Sequence, residues 1–298
     1  MEIISEIKRL KAEKNALILA HNYQDISILE VADFTGDSLQ LSIRAREVET
    51  GIIVFCGVRF MAETAAVLNP RAKVLLPVAD AGCPMADMIT AEELRVLKSK
   101  YPGAVVVCYV NSTLEVKAES DICCTSSNAV RVIRSIPPDQ QIIFVPDQNL
   151  GSWAALQTGR EMIIHSGYCV VHQWGFTLGD VKRMRDKYPE HKLIAHPECT
   201  NAILQNADEV MSTSGMMAYA QDQDKLIFAT EVGLIDYLNH LHPGKSLVAL
   251  SHRAICKNMK KTHLKDVLSA LQQERHHVKP EAGIAAKALC CLERMLAL

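Results

Sequence analysis

Three stretches of this 298-residue chain decide its fold: KVLLPVADAGC at residues 73–83, EMIIHSGYC at residues 161–169 and SLVALSHRAIC at residues 246–256. Each stretch is an apolar run followed by a short polar loop that ends in cysteine. The three cysteines are 86 and 87 residues apart. Equal spacing predicts three copies of one structural unit, and copies about a common axis would bring three equivalent thiols to one point. Those thiols are Cys83, Cys169 and Cys256.

The repeat extends beyond the cysteines. The stretch TAEELRVLKSKYPGAVVVCYVNST begins at Thr90, and TLGDVKRMRDKYPEHKLIAHPECT begins 87 residues later at Thr177. Both are typical of a helix, a Lys-Tyr-Pro stop and a buried strand that runs into polar residues. The stretch EIKRLKAEKNALILAHNYQ at residues 6–24 has the same helix-to-strand pattern. Self-similarity over most of the chain indicates triplication of a small domain.

Each unit is predicted to alternate three helices with three short strands, and its strands are continuous apolar runs. Such runs are typical of parallel strands that are buried on both faces. The sequence therefore predicts an α/β fold of three homologous three-layer α/β/α domains with small parallel sheets, related by pseudo-threefold symmetry. The expected domains are residues 1–84, 85–170 and 171–261. The helical segment 262–298 is expected to pack back on the first domain.

Composition narrows the class of protein. Hydrophobic residues make up 49% of the chain and charged residues 22%, as in ordinary globular proteins. A net charge of −2 argues against a nucleic-acid or membrane partner that needs a basic surface. The first residues, MEIISEIKRLKAEK, lack the pattern of a signal peptide, and no run approaches the roughly 20 apolar residues of a membrane span. We expect a cytoplasmic protein whose ten cysteines are mostly reduced.

Three converging thiols form a metal-ligand set. One interpretation is a Cys₃His zinc site, with His172 or His252 as the fourth ligand. The other is a [4Fe–4S] cluster held by three thiolates, in which one iron stays open as a Lewis acid. A threefold arrangement favours the cluster, but the residues alone leave both open. The remaining cysteines lack equivalents in the other units and are interpreted mainly as packing residues: Cys56, Cys108, Cys123, Cys124, Cys199, Cys290 and Cys291.

Hydroxyl residues recur at one position of the repeat. Ser38, Ser126 and Thr213 are separated by 88 and 87 residues, and each falls where a helix should begin after a strand. Taken singly, each is interpretable as an ordinary helix cap. Three helix amino termini that point inward would instead bind the carboxylates or phosphate of an anionic substrate.

Side chains suited to proton transfer directly follow the first strand of each unit. They are His21 and Tyr23, Tyr109 and Asn111, and His196 and Glu198. A lone histidine after a strand usually makes a structural hydrogen bond, but a convergent group suits acid–base chemistry. We assign Glu198 as general base, with His21, Tyr23 and His196 as proton donors or orienting groups. The nucleotide motifs GxGxxG and GxxxxGK[ST] and the GxSxG elbow are absent from the sequence.

In these residues and the motifs around them, the chain resembles the quinolinate synthases, which are iron–sulfur enzymes of de novo NAD biosynthesis. The resemblance runs from about residue 16 to residue 261 through eleven short motifs in order, and such a series is highly specific. The motifs are AHNYQ, ADFTGDSLQLS, CGVRFMAET, GCPMA, YVNST, CTSSNAV, PDQNLG, HPEC, STSGM, ATEVG and CKNMKK.

The resemblance implies a [4Fe–4S] cluster held by Cys83, Cys169 and Cys256. It also implies that iminoaspartate, delivered by an aspartate-oxidising enzyme, condenses with dihydroxyacetone phosphate to give quinolinate, phosphate and two waters. Some family members carry a CxxCxxC phrase near the carboxyl end. This chain instead has CKNM there, so thiol regulation at that position is not expected. Motif matching implies a site lined by His21, Tyr23, Ser38, Tyr109, Asn111, Ser126, His196, Glu198 and Thr213.

Three rival functions remain on the residues alone: a cluster dehydratase that forms no carbon–carbon bond, a carrier of a cluster or of zinc, and a zinc hydrolase. A carrier needs an exposed site with few polar neighbours, whereas polar residues from every unit are predicted around these thiols.

Overall fold

The structure is a computed structural model that describes residues 2–298. Its first part, up to residue 75, alternates helices and strands along one parallel sheet. The elements are α1 (Glu2–Glu13), β1 (Ala16–His21), α2 (Ile26–Leu29), β2 (Phe34–Gly36), α3 (Ser38–Glu47), β3 (Ile52–Cys56), α4 (Arg59–Leu68) and β4 (Lys73–Leu75).

The second part repeats this order. Its elements are α5 (Ala91–Lys100), β5 (Val105–Tyr109), α6 (Leu114–Ala118), β6 (Ile122–Cys124), α7 (Ala129–Ser135), β7 (Ile142–Val145), α8 (Gln148–Thr158) and β8 (Ile163–Ile164).

The third part repeats it again after a short extra helix, and two helices complete the chain. The elements are α9 (Val170–Trp174), α10 (Leu178–Lys187), β9 (Lys192–Ala195), α11 (Asn201–Leu204), β10 (Glu209–Val210), α12 (Thr213–Asp222), β11 (Lys225–Ala229), α13 (Val232–Leu241), β12 (Ser246–Ala249), α14 (Leu264–Gln273) and α15 (Ala282–Leu296).

The strands form three separate four-stranded sheets, and every strand pair within them is parallel. Their orders, β2-β1-β3-β4, β6-β5-β7-β8 and β10-β9-β11-β12, are the same order repeated three times. This confirms the predicted α/β class with three small parallel sheets. The prediction of three strands per unit was wrong, because β2, β6 and β10 are only two or three residues long. Strands this short leave no readable apolar run in the sequence.

A repeated hydrogen bond ties the second strand of each sheet to the first. Carboxylates of Asp33, Asp121 and Asp208 accept from the backbone N–H at the start of β1, β5 and β9, at 2.7, 2.8 and 2.6 Å. These aspartates are 88 and 87 residues apart, so they follow the predicted repeat. The same local chemistry therefore orders each sheet.

The predicted helix boundaries at Lys-Tyr-Pro are confirmed. Tyr101 and Tyr188 end α5 and α10, where the following proline cannot continue a helix. Thr90 and Thr177 begin these helices as N-caps, each in a capping box with the acidic residue three positions later. Both helices are thus defined at each end by local sequence.

The three sheets share buried side chains. One apolar cluster includes Leu19 and Phe55 of the first sheet, Val107 of the second, and Ile194 and Phe228 of the third. Apolar contacts continuous across all three parts fit the expectation that units of this size fold as one body. The domain boundaries expected at residues 84 and 170 stay a prediction.

The carboxyl-terminal helices divide between two parts of the chain. Helix α14 packs against α1 and β3, and its Val267 and Leu271 share a core with Ile7 and Leu10. Helix α15 packs mainly against α6 and β6 of the second part, and also against α4. The segment 262–298 therefore covers the first two parts rather than the first alone. The apolar face of α15, with Cys291 and Leu292, joins the core that contains β5 and β6.

Candidate active site

One cavity lies beyond the carboxyl ends of the strands, which is where parallel α/β sheets usually bind ligands. The three repeated cysteines and all the residues that the sequence singled out as catalytic groups or substrate contacts line it. Those residues are His21, Tyr23, Ser38, Cys83, Tyr109, Asn111, Ser126, Cys169, His196, Glu198, Thr213 and Cys256. The geometry of the fold therefore brings together side chains that are far apart in the chain.

The three repeated thiols are electrostatic neighbours. Burial, together with a smaller contribution from the neighbouring Cys256 thiol, raises the pKa of the Cys83 thiol to about 12. Burial also raises the pKa of Cys169, with further increases from Glu198, Cys83 and Cys256. Without a cation these thiols stay protonated at neutral pH. A bound metal would supply the positive charge that thiolates need here.

Buried carboxylates hold the backbone beside two of the three cysteines. The Asp147 carboxylate caps α8 and accepts from the Cys169 backbone N–H at 3.1 Å. The Glu231 carboxylate caps α13 in the same way and accepts from the Cys256 N–H at 3.2 Å. Both side chains are fully buried. The cap of α4 is Val58, which has no carboxylate, so this support is absent beside Cys83.

Glu198 is the central charged group of the cavity. Its carboxylate accepts from the Tyr109 hydroxyl at 2.5 Å and lies 2.7 Å from His172 Nδ1. Burial raises the pKa of Glu198, but the two neighbouring histidines and the hydrogen bonds from His172 and Tyr109 outweigh burial and bring it below its usual range. The carboxylate is therefore ionised at neutral pH, as a proton acceptor must be.

A chain of hydrogen bonds leads from Tyr23 to Glu198. The Tyr23 hydroxyl lies 2.7 Å from Thr230 Oγ1, and Thr230 Oγ1 lies 3.2 Å from His172 Nε2. With the His172 proton on Nδ1, facing Glu198, the Nε2 atom is free to accept from Thr230. Burial and the charge of Glu198 raise the pKa of Tyr23 well above its usual value, so Tyr23 is protonated at rest. The chain can carry a proton away from Tyr23.

His21 and His196 have matching orientations. His21 Nδ1 accepts from the Tyr23 backbone N–H at 3.1 Å, and His196 Nδ1 accepts from the Glu198 N–H at 3.3 Å. Burial lowers the pKa of His21 to about 4 and that of His196 to about 3, so both imidazoles are neutral at neutral pH. The remaining proton is then on Nε2, which can donate to an oxygen atom in the cavity.

The lowered pKa values of His21 and His196 predict that the folded protein loses stability as the pH falls. Between pH 7 and pH 5 an unfolded imidazole, with its pKa near 6.5, takes up a proton that the buried His21 and His196 do not. The free energy of unfolding should therefore fall by about 1–2 kcal/mol per histidine over this range. Urea unfolding of anaerobic protein at both pH values tests this. In a His21→Gln/His196→Gln double variant, the free energy of unfolding should change less between pH 7 and pH 5 than in the wild-type protein.

The matched control is His252→Gln, a change of the same kind at an exposed position. It should keep the wild-type dependence on pH. An unchanged slope in the double variant would contradict the assignment of two neutral buried imidazoles.

The hydroxyl residues differ from the predicted caps by one position or more. Ser38 and Thr213 are the first helical residues of α3 and α12, and the N-caps are Asp37 and Ser212. Ser126 lies in the turn before α7. Because the preceding residues cap α3 and α12, the hydroxyls of Ser38 and Thr213 are not needed as caps.

Asn111 presents an unpaired hydrogen-bond acceptor at the cavity. Its Oδ1 atom is buried, has no hydrogen-bond partner and belongs to a residue that lines the cavity. A buried acceptor without a partner costs about 1–3 kcal/mol, so a donor from a ligand would relieve a real penalty.

Two residues of the hydrogen-bond chain were not predicted in that role from the sequence. Thr230 was not singled out, and His172 was considered only as a zinc ligand. Thr230 directly follows β11, so the rule that sites form beyond strand ends could have found it. The suggestion that His252 supplies a zinc ligand was wrong, because its loop turns that side chain to the surface. Among the described residues, no cysteine besides the three repeated ones lines the cavity.

One set of atoms suits a single metal ion. Ligand atoms of Cys169, His172 and Glu198 all lie within 4.8 Å of one another. The His172 Nδ1 atom is 3.3 Å from the Cys169 sulfur. The cavity thus offers both a three-thiol set and a mixed sulfur, nitrogen and oxygen set.

Comparison with known proteins gives one consistent family. A family model described as "Quinolinate synthetase A protein" matches residues 5–297. The chain is 49% identical to a quinolinate synthase of Methanoregula boonei, over 98% of this chain and 97% of the relative. It is 49% identical to a quinolinate synthase of Alkaliphilus metalliredigens, over 99% and 97%. It is 47% identical to that of Desulforudis audaxviator, over 100% and 98%.

A solved structure also aligns over most of the chain. It is the E-1-hydroxy-2-methyl-but-2-enyl-4-diphosphate reductase of Plasmodium falciparum, with 12% identity and a TM-score of 0.32 over 91% of this chain and 93% of that one. A likeness this weak supports no conclusion. Separately, across residues 2–298 no helix is long and apolar enough to cross a membrane.

Proposed function

Because the chain belongs to the quinolinate synthase family, we propose that it condenses iminoaspartate with dihydroxyacetone phosphate. The products are quinolinate, one phosphate and two waters, and this set balances the atoms of the two substrates. The observation that carries the proposal is the single cavity that holds three thiols, an ionised carboxylate and neutral imidazoles. An aspartate-oxidising enzyme is the proposed source of iminoaspartate.

The donor set of the cavity fits a [4Fe–4S] cluster. Cys83, Cys169 and Cys256 are the cavity cysteines of the described chain, and three thiolates leave one cubane iron without a protein ligand. When bound, such a cluster supplies a Lewis acid toward a hydroxyl or carboxylate oxygen. The thiols are mutual neighbours, as ligands of one compact group must be.

The polar residues have complementary tasks. Neutral His21 and His196 would donate from Nε2 to substrate carboxylate or carbonyl oxygens. Ser38 and Thr213, at helix starts, and Ser126 would bind the carboxylates and the phosphate. The unpartnered Asn111 Oδ1 would accept from a substrate hydroxyl or imine N–H.

Tyr23 and Glu198 would move protons during condensation and dehydration. Tyr23 faces the cavity and can pass a proton through Thr230 to His172, whose Nδ1–H is held by Glu198. Glu198 in turn holds the Tyr109 hydroxyl. Proton transfers of this kind typically contribute 10²–10⁴-fold to a rate, which is about 3–5 kcal/mol.

A mononuclear metal site is the second candidate, supported by the Cys169, His172 and Glu198 set. An ion there would engage His172 Nδ1 and the Glu198 carboxylate, and so break the hydrogen-bond chain from Tyr23. It would also leave Cys83 and Cys256 without a role. Three repeated thiols in one cavity therefore favour the cluster over a zinc hydrolase.

The reaction itself can be tested with anaerobically purified protein. Iminoaspartate generated from oxaloacetate and ammonia is supplied with dihydroxyacetone phosphate, and quinolinate and phosphate are measured together. The proposal predicts equal amounts of both products. Phosphate without quinolinate would indicate loss of phosphate from dihydroxyacetone phosphate with no carbon–carbon bond formed, and neither product would indicate a dehydratase of another substrate or a carrier.

The carboxylates beside two cysteines give a further prediction. Asp147→Asn would turn an N–H donor toward the Cys169 N–H and remove one hydrogen bond, worth about 1 kcal/mol. Cluster absorbance should then decay about fivefold faster in air than in wild-type protein. The control is Asp121→Asn, whose carboxylate accepts from a backbone N–H near the start of β5 instead. Equal decay rates in both variants would contradict this role of Asp147.

A further inference from the structure

One carboxylate joins all three parts of the chain at the cavity. Asp37 Oδ1 accepts from the backbone N–H groups of Leu39 and Gln40 at 3.0 and 2.9 Å. Asp37 Oδ2 accepts from the Ser127 hydroxyl at 2.6 Å and from the Ser214 hydroxyl. Asp37 is 4% exposed, so these contacts replace nearly all of its hydration.

Three of the four donors to Asp37 come from one position of the repeat. Leu39, Ser127 and Ser214 are separated by 88 and 87 residues, the spacing of the repeated units. The first unit contributes a backbone N–H at this position, and the other two contribute hydroxyls. A single carboxylate thus receives an equivalent residue from each unit.

Each of these three donors directly follows a proposed substrate contact in the sequence. Ser38, Ser126 and Thr213 are the residues immediately before these three positions. A displacement of one donor would therefore move the neighbouring hydroxyl by a similar amount.

The contacts of Asp37 define what it can do. A carboxylate has about four lone-pair positions, and four donors occupy them here. Asp37 is then neither a free base nor a free cation ligand. Four donors also offset the charge of a carboxylate that lines a cavity for an anionic substrate.

We propose that Asp37 is a positioning residue that fixes the relative placement of Ser38, Ser126 and Thr213, and so sets the affinity of the cavity for a dicarboxylate substrate. The identity of that substrate rests on the proposed function. The positioning itself rests on the hydrogen bonds between units.

The most selective variant is Asp37→Asn. Asparagine is as good an N-cap as aspartate, so α3 keeps its start. The amide nitrogen that replaces one oxygen cannot accept from Ser127 or Ser214. We expect KM for iminoaspartate to rise about tenfold or more, with kcat changed less than about threefold, because only the placement of binding groups is disturbed.

A second variant tests the inference without altering Asp37. Ser127→Ala/Ser214→Ala removes the two donors from the other units and should raise KM to the same extent. Because both changes break the same contacts, the triple variant with Asp37→Asn should match Asp37→Asn alone within about twofold. The matched control is Asp121→Asn, just before β6, whose carboxylate accepts from the Val106 N–H instead, and it should keep the wild-type KM.

Anaerobic isothermal titration with succinate, a stable four-carbon dicarboxylate, gives a readout without turnover. Succinate affinity should fall in Asp37→Asn and in the serine double variant, and stay unchanged in Asp121→Asn.

If the serine double variant kept both the wild-type KM and the wild-type succinate affinity, the inference would be overturned, even if Asp37→Asn failed to fold. Tighter succinate binding in Asp37→Asn would overturn it too, since Asp37 would then act only by repelling anions. If the wild-type protein formed no quinolinate, the proposed function would fail, whereas the succinate results would still test the positioning.

Discussion

Replacing Cys169 with alanine is expected to abolish quinolinate formation and to remove most of the iron from anaerobically purified protein. The same result is expected for Cys83→Ala and Cys256→Ala, because each unit supplies one thiol to the cavity. Loss of the Lewis acid removes electrostatic stabilisation, commonly the largest catalytic contribution, so the rate should fall by more than about 10³-fold. Quinolinate formation and iron content are measured on the same preparations.

A matched control separates ligand loss from general damage. Cys124→Ala removes a fully buried thiol at the end of β6 that does not line the cavity. It should retain iron and activity, with at most a modest loss of stability. Full iron content in all three cavity variants would show that these thiols are not the ligands.

Replacing Glu198 with glutamine is expected to lower kcat by about 10²–10⁴-fold while leaving the iron content unchanged. Glutamine is close in size to glutamate but carries no charge. It cannot hold Tyr109 and His172 as an ionised carboxylate does. The hydrogen-bond chain from Tyr23 through Thr230 and His172 would then end at a neutral amide, which is a weak proton acceptor. Rates and iron content under anaerobic conditions provide the measurement.

Glu209→Gln, a change of the same kind at an exposed position in β10, is the control and should behave as wild type. Turnover of Glu198→Gln within about threefold of wild type would remove Glu198 from the proton-transfer scheme. A parallel loss of iron would instead indicate that Glu198 ligates the metal, as the mononuclear alternative requires.

The sequence was enough to predict where the thiols meet. Residues at one position of a repeated unit must lie at equivalent places in each copy, and in parallel sheets the strand ends are where ligands bind. Cys83, Cys169 and Cys256 therefore share a cavity in the structure, as do the residues that follow β1, β5 and β9.

Contacts between units could not be predicted in this way. The bonds from Tyr23 to Thr230 and from Asp37 to Ser214 join different positions of the repeat in different units, 207 and 177 residues apart. They depend on how three sheets pack, which the repeat alone does not define. The two-residue strand β10 was missed for another reason, because hydrogen bonding to β9 rather than an apolar run creates it.

We propose that one thiol from each unit holds a single [4Fe–4S] cluster with one open iron. Iron and sulfide analysis of anaerobically purified wild-type protein, combined with its Mössbauer spectrum before and after addition of substrates, tests it most directly. We predict about four iron and four sulfide per chain, with the signal of one iron changed by substrate. One zinc per chain without sulfide, or a complete cluster whose irons are all unaffected by substrate, would contradict it.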